Sequence, residues 1–244
     1  IFCLFINITF VKFFYKVIFF KKFYMHSTVQ NLLSIQTSIK SKLLEAKEKG
    51  RIPKIIAVSK TFKIDHILPL IEHGHFQFGE NKVQEALEKW PEIKSKNTKI
   101  QLHMVGKLQS NKVKHALKIF DYIHSLDSMK LANKISTEQK KINKKPKIFI
   151  QINIGNESQK SGIMINEFEP FYQYCKKLEL EIIGTMCLPP DEKDPNIYFS
   201  KMKELNDRFN ISELSMGMSN DYIIATNYMS TYLRIGSKIF GQRN

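Results

Sequence analysis

The sequence predicts an α/β fold, a single (β/α)8 barrel of eight parallel strands, and three observations carry that expectation. From Lys54 onward, short apolar runs alternate with segments of helical length. The runs number eight, the count that closes such a sheet on itself. At 244 residues with 43% hydrophobic content, the chain is long enough for one large core.

The strands are expected at 54–59, 75–78, 100–105, 120–124, 148–153, 180–184, 211–215 and 232–236. Residues 64–73, 81–90, 110–119, 128–141, 166–177 and 195–209 have helical length, so the strands are parallel and joined by crossover helices. A doubly wound dinucleotide-binding sheet is the rival, but no G-x-G-x-x-G follows the first strand.

Before the first strand, Ser27 and Gln30 read as a capping box. Val29, Leu32, Leu33, Ile39, Leu43, Leu44 and Ala46 then recur at helical spacing until Gly50 and Pro53. A long amphipathic helix over 27–49 is expected. Eight residues follow the last strand, so the eighth helix should be short or absent, and the N-terminal helix is available to cover the gap.

Residues 1–24 differ from the barrel at 25–244. Phe, Ile and Val dominate them, they contain Lys12, Lys16, Lys21 and Lys22, and they lack acids. The lysines interrupt the apolar run before the roughly 20 residues of a spanning helix. Two readings stand: extra coding sequence ahead of Met25, or a targeting or surface-lying segment. The first implies a cytoplasmic protein, the second an organellar or membrane-associated one.

The formal charge is +15. Its lysines are spread over helix positions and stretches such as 140–147, without aromatic interleaving, so a solvated surface is expected rather than a nucleic-acid or membrane partner. Cys3, Cys175 and Cys187 are too scattered for a disulfide framework or a C-x-x-C metal pair, which fits a reducing compartment.

Barrel chemistry sits where strands end. The first strand closes in A-V-S-K-T (57–61), where partial desolvation makes the Lys60 amine a nucleophile toward an aldehyde; alternatively Lys60 snorkels to the rim. The second closes in F-G-E-N-K-V-Q-E (78–85). Asn81 can serve a ring oxygen, or Glu80 and Asn81 can cap the next helix. The third closes in H-M-V-G-K-L-Q-S-N-K (103–112), where Val105 can lie against a flat ring and Gln109, Ser110 and Asn111 can cap.

The seventh and eighth strands end in L-S-M-G-M-S-N-D (214–221) and R-I-G-S-K-I-F-G (234–241). Adjacent turns with Ser219 and with Gly236 and Ser237 offer hydroxyls and backbone N–H groups where barrels often bind phosphate. Capping explains either turn alone. Arg234 can face a heterocyclic nitrogen or pair with an acid in the mouth; since it only donates, a nitrogen facing it is unprotonated.

Together with I-Q-I-N-I-G-N-E-S-Q-K-S-G (150–162) and G-T-M-C-L-P-P (184–190), these motifs resemble the pyridoxal phosphate homeostasis protein family from about Ser27 to Arg243. The resemblance implies a barrel of the alanine racemase N-terminal type and one pyridoxal 5′-phosphate, bound covalently as a Schiff base on Lys60. It implies Arg234 at the pyridine nitrogen, Asn81 and Val105 at the ring, and Ser219, Gly236 and Ser237 at the phosphate, with Ser215 and Met218 nearby. Lys107 and Asn220 beside Asp221 depart from the family pattern. The implied role is intracellular vitamin B6 balance, buffering or delivering the cofactor to apoenzymes that need it.

The alternative is a racemase or decarboxylase on the same barrel. Racemases add a β-domain and draw an opposing acid/base group from a partner chain, for which the chain up to Asn244 offers no evident source. Binding without efficient turnover, by a monomer, is therefore expected.

Overall fold

A computed structural model describes residues 25–45, 51–191 and 193–242. Eight parallel strands follow one another around a closed barrel: β1 (Lys54–Val58), β2 (Gln77–Glu80), β3 (Gln101–Met104), β4 (Tyr122–Leu126), β5 (Lys147–Ile152), β6 (Ile182–Cys187), β7 (Glu213–Ser215) and β8 (Tyr232–Ile235). Helix α1 (Ser27–Glu45) precedes β1, and α2 (Ile64–Glu72) follows it. The later crossovers carry α3 (Val83–Lys89) and α4 (Pro91–Lys96), α5 (Val113–Ile119), α6 (Met129–Ile142), α7 (Phe168–Lys177), α8 (Pro195–Arg208), α9 (Tyr222–Asn227) and α10 (Ser237–Phe240). The predicted fold class and order hold. The reading of residues 1–24 falls outside the described residues, as does that of Ala46 and Gly50.

Strands β2, β4, β6 and β7 each begin two residues later than expected; β2 begins at Gln77 rather than His75. The His75 amide donates to Leu70 O and Gly74 to Ile71 O, so this stretch closes α2 before it can join the sheet. Helix α3 ends before Pro91, as the 81–90 segment implies, but a second short helix, absent from the expected elements, follows it. Proline fits the first position of a helix, where its missing donor costs nothing, so Trp90 ends α3 and α4 starts anew.

Helix α1 buries Val29, Leu32, Ile35 and Ile39, whereas Leu44 is 79% exposed. Its first turn is capped differently from the expected box: the Thr28 backbone N–H donates to His26 Nδ1, and the Gln30 side-chain Nε2 donates to Met25 O. The helix does cover the short last crossover. Asn31 Nδ2 donates to Ile239 O at 2.9 Å, and Phe62 stacks on Phe240. Among the described residues no helix is long and apolar enough to cross a membrane.

Period-two alternation sorts every strand into an outward face against the helices and an inward face. Ile55 and Ala57 pack outward with the large core; Ile56 and Val58 point inward with Tyr122, Phe149, Met186 and Tyr232. This interior differs from the aliphatic layers usual in such barrels. Its inward positions include Gln77, Gln101, His103, His124, Ser215 and Arg234, linked to one another by hydrogen bonds.

Rings inside a narrow barrel need gaps on neighbouring strands. A Cβ on Gly184 would stand 2.2 Å from Glu213 O and 2.6 Å from the Phe149 ring. Gly184→Ala is therefore expected to destabilise the fold by about 1–3 kcal/mol or more. An unchanged urea midpoint would mean that β6 yields without cost.

Candidate functional site

Lys60 lies two residues beyond β1 and continues its inward row from Ile56 and Val58. Its backbone is held from behind by a buried cluster. Glu80 Oε1 accepts from Ser59 Oγ at 2.7 Å, from Lys89 Nζ at 3.0 Å and from Trp90 Nε1 at 3.0 Å. Lys89 also donates to Ser59 O and to Glu85 Oε1, and Glu85 accepts the Thr61 amide. Thr61, at φ 68°, makes the left-handed bend that ends the strand. Burial raises the Glu80 pKa, opposed by the Lys89 charge and by hydrogen bonds from Trp90 and Ser59.

Glu80 and Asn81 are thus not helix caps. Lys82 occupies the N-cap of α3 and makes no side-chain cap bond. Likewise Gln109 precedes a short 3-10 turn, Ser110–Lys112, without a side-chain cap.

A cavity of about 1010 Å³ opens at the carboxyl ends of the strands. Lys60, Asn81, Val105 and Arg234 line it, as do Met218, Ser219, Gly236 and Ser237 from the last two loops. The Asn81 Oδ1 atom is buried without a hydrogen-bond partner among the described residues, although buried polar atoms are seldom left unpaired. Gly106 lets the third loop approach: a Cβ there would come within 2.4 Å of Asn81 O.

Arg234 is 5% exposed, and among the described residues no carboxylate pairs with it. Its guanidinium donates to Ser215 Oγ at 2.7 Å and to Cys187 O at 2.8 Å. Burial lowers its pKa, while Cys187 and Asp221 act in the other direction. Ser215 lies fully buried beneath Arg234 and is not among the cavity-lining residues. Below it, His124 Nδ1 is 2.9 Å from Ser215 Oγ, His124 Nε2 is 2.9 Å from His103 Nδ1, and His103 Nε2 is 2.9 Å from Gln77 Oε1.

The seventh and eighth loops are tied together. The Lys238 amide donates to Ser219 Oγ at 3.3 Å, and the Met218 amide to Asp221 Oδ1 at 2.5 Å. Asp221 holds the N-cap position of α9 but spends its carboxylate on its own loop. Gly236 is the N-cap of α10.

Residues 36–244 match the family described as the alanine racemase N-terminal domain. The chain is 35% identical over 226 residues to the pyridoxal phosphate homeostasis protein of Pasteurella multocida, covering 88% of this chain and 97% of that protein. With the protein of the same name from Haemophilus influenzae it shares 37% identity, covering 88% and 95%. The chain belongs to the pyridoxal phosphate homeostasis protein family.

The solved structure of PipY from Synechococcus elongatus with pyridoxal phosphate bound is similar to this family member at a TM-score of 0.71 and 29% identity, covering 83% of this chain and all of that one. Alanine racemase of Clostridium difficile shares the fold at a TM-score of 0.66 and 15% identity, covering 89% of this chain and 57% of the racemase.

Sequence reasoning about this homeostasis-family chain missed the Glu80–Lys89 cluster and the two histidines. A usable signal existed for the latter: His103 and His124 share the inward parity of their strands with Val105 and Tyr122.

Removing the buried carboxylate in Glu80→Ala leaves Lys89 and Trp90 facing a void and should cost about 3–5 kcal/mol in urea unfolding. Glu80→Gln keeps the shape and is expected to cost less.

Burial holds the His103 and His124 pKa values well below 6.5, with Lys54 adding to the effect on His103 and its neighbour His103 to that on His124. The unfolded chain then takes up protons that the folded chain refuses. The stabilisation is complete above about pH 6.5 and is lost as pH falls below it. A urea midpoint lower at pH 5.5 than at pH 7.5, with a smaller drop in His103→Gln, is the expected outcome.

Proposed function

We propose that this protein binds pyridoxal 5′-phosphate, carries it covalently on the Lys60 amine, and buffers or delivers it to apoenzymes that need the cofactor. The observation carrying this reading is one cavity that joins an amine, a donor-only guanidinium and the orphaned Asn81 oxygen. Those groups, with the hydroxyls of Ser219 and Ser237, suit an aldehyde, a heterocyclic nitrogen, a ring substituent and a phosphate. The cavity volume is ample for a ligand of that size.

When bound, the cofactor supplies an electrophilic carbonyl and an electron-withdrawing ring. Lys60 Nζ is the nucleophile for that carbonyl. Arg234 orients the ring by donating to its nitrogen and supplies no proton to it, which keeps the ring a weak electron sink and favours storage over amino-acid turnover. Val105 and Asn81 flank the ring, Ser219, Gly236 and Ser237 hold the phosphate with Met218 beside them, and Ser215 acts through Arg234. No membrane or nucleic-acid partner is part of this reading, and a monomer suffices for it.

Mixing the protein with pyridoxal phosphate should give a yellow species whose mass increment borohydride fixes on Lys60, and Lys60→Ala should abolish both. A colourless protein that takes up no cofactor would refute the reading. Arg234→Ala is expected to weaken binding by about 2 kcal/mol, roughly thirtyfold, and to shift the absorbance. Rapid racemisation or decarboxylation lost in Lys60→Ala would instead identify an enzyme.

A further inference from the structure

We propose that His124 and His103 are positioning residues for the cofactor site: through Ser215 they hold the Arg234 guanidinium toward the cavity by hydrogen bonds that run one way from the mouth of the barrel to its floor. The ligand concerned is that of the proposed function. The order of the protons along the chain depends on no ligand.

Both ends favour that order. At the mouth, Arg234 can only donate, so Ser215 Oγ accepts from it. At the floor, Gln77 Nε2 donates at 3.0 Å to Gln101 Oε1, which also receives the Tyr122 hydroxyl at 3.3 Å. The Gln77 amide therefore presents its oxygen to His103, and His103 Nε2 carries the proton that reaches it. A neutral His103 is then bare at Nδ1 and accepts from His124 Nε2–H. His124 is in turn bare at Nδ1 and accepts the Ser215 proton.

Every donor thus points away from Arg234. Ser215 spends its proton on His124 and turns a lone pair to the guanidinium. A second anchor, Cys187 O, fixes the other arm. Rings fill the space around the chain: His124 stacks on Phe149 at 4.2 Å and His103 on Tyr122 at 4.2 Å, so neither imidazole can rotate freely. Both are fully buried, where the neutral form is favoured. Reversing either tautomer would set two N–H groups, or two bare nitrogens, face to face between the imidazoles unless the whole chain reversed. In that case Ser215 would accept twice and its proton would lose His124.

The first test is imidazole ¹⁵N NMR on cofactor-free protein near neutral pH. The expected result is His103 and His124 both neutral and protonated at Nε2. Protonation of either at Nδ1, or a cationic ring, overturns the proposal. Gln77→Leu, at the half-buried floor, should release His103 from that tautomer; unchanged spectra would also overturn it.

The second test is function. His124→Phe keeps a packed ring but removes the acceptor, and should weaken pyridoxal phosphate binding about tenfold and shift its absorbance. His124→Asn places an amide oxygen near the position of the Nδ1 acceptor that faces Ser215 and should recover part of the loss. Unaltered binding in His124→Phe, or an equal loss in both variants, overturns the positioning role. If His124→Phe does not fold, the comparison of Gln77→Leu with wild type decides: altered absorbance supports the role and an identical spectrum refutes it. Failure of wild type to take up the cofactor would defeat the proposed function and leave the tautomer result to stand or fall alone.

Discussion

Closure of the sheet between its first and last strands is the constraint on which the mouth of this barrel depends. Parallel pairing sets Lys54 opposite Tyr232, Ile56 opposite Arg234 and Ala57 opposite Ile235. Residues some 180 positions apart in sequence thereby become neighbours. Because side chains alternate along each strand, the same register that aligns the two backbones turns Ile56, Val58, Tyr232 and Arg234 into one interior. Lys60 and Gly236, just past those strands, then line one cavity with no further element needed to bring them together.

A polar interior is an expensive way to fill a barrel, since an unpaired buried donor or acceptor loses its water without compensation. Here the cost is met by connection. Arg234, Ser215, His124, His103, Gln77 and Gln101 each find partners within the row, and stacked rings of Tyr122 and Phe149 close the gaps. The glycine at 184 yields the volume that Phe149 takes. Such a network is worth having only if complete, because one missing member strands the next. Among the described residues several buried oxygens have no hydrogen-bond partner, Glu80 Oε2, Ser125 Oγ and Asn81 Oδ1 among them, and of these three residues Asn81 lines the cavity.

Two rigid anchors flank the site. Behind Lys60, the Glu80 carboxylate gathers Ser59, Lys89 and Trp90 and so ties the ends of β1 and β2 to α3. Across the last two loops, Ser219 receives the Lys238 amide while Asp221 ties down Met218. Apart from Lys89 in the first, the side chains of the basic excess take little part in either. Many surface lysines pair locally instead, as Lys96 does with Glu92 and Lys203 with Asp207, contacts worth little in water. The two described cysteines are buried, and burial pushes both thiols up to about 12, which leaves them inert.

What could be read from the chain alone was what neighbouring residues encode: strand–helix alternation, the short last helix, and the strand-end motifs that bear Lys60, Asn81, Ser219, Arg234, Gly236 and Ser237. Alternation and turn chemistry are local properties, so a linear reading reaches them. The start of β2 escaped it because His75 is held by the end of the preceding helix. Glu80 escaped it because a carboxylate near a helix start resembles a cap until Ser59 and Trp90 are brought beside it. The partners of Arg234 were also beyond reach, since an arginine needs acceptors and the sequence around it names none. Only the closed sheet decided that these would be a serine hydroxyl and a carbonyl rather than an acid, and that two histidines on β3 and β4 would stand beneath them. Burial and pairing are fixed by which strands meet, and that is a property of the closed ring, not of any segment in it.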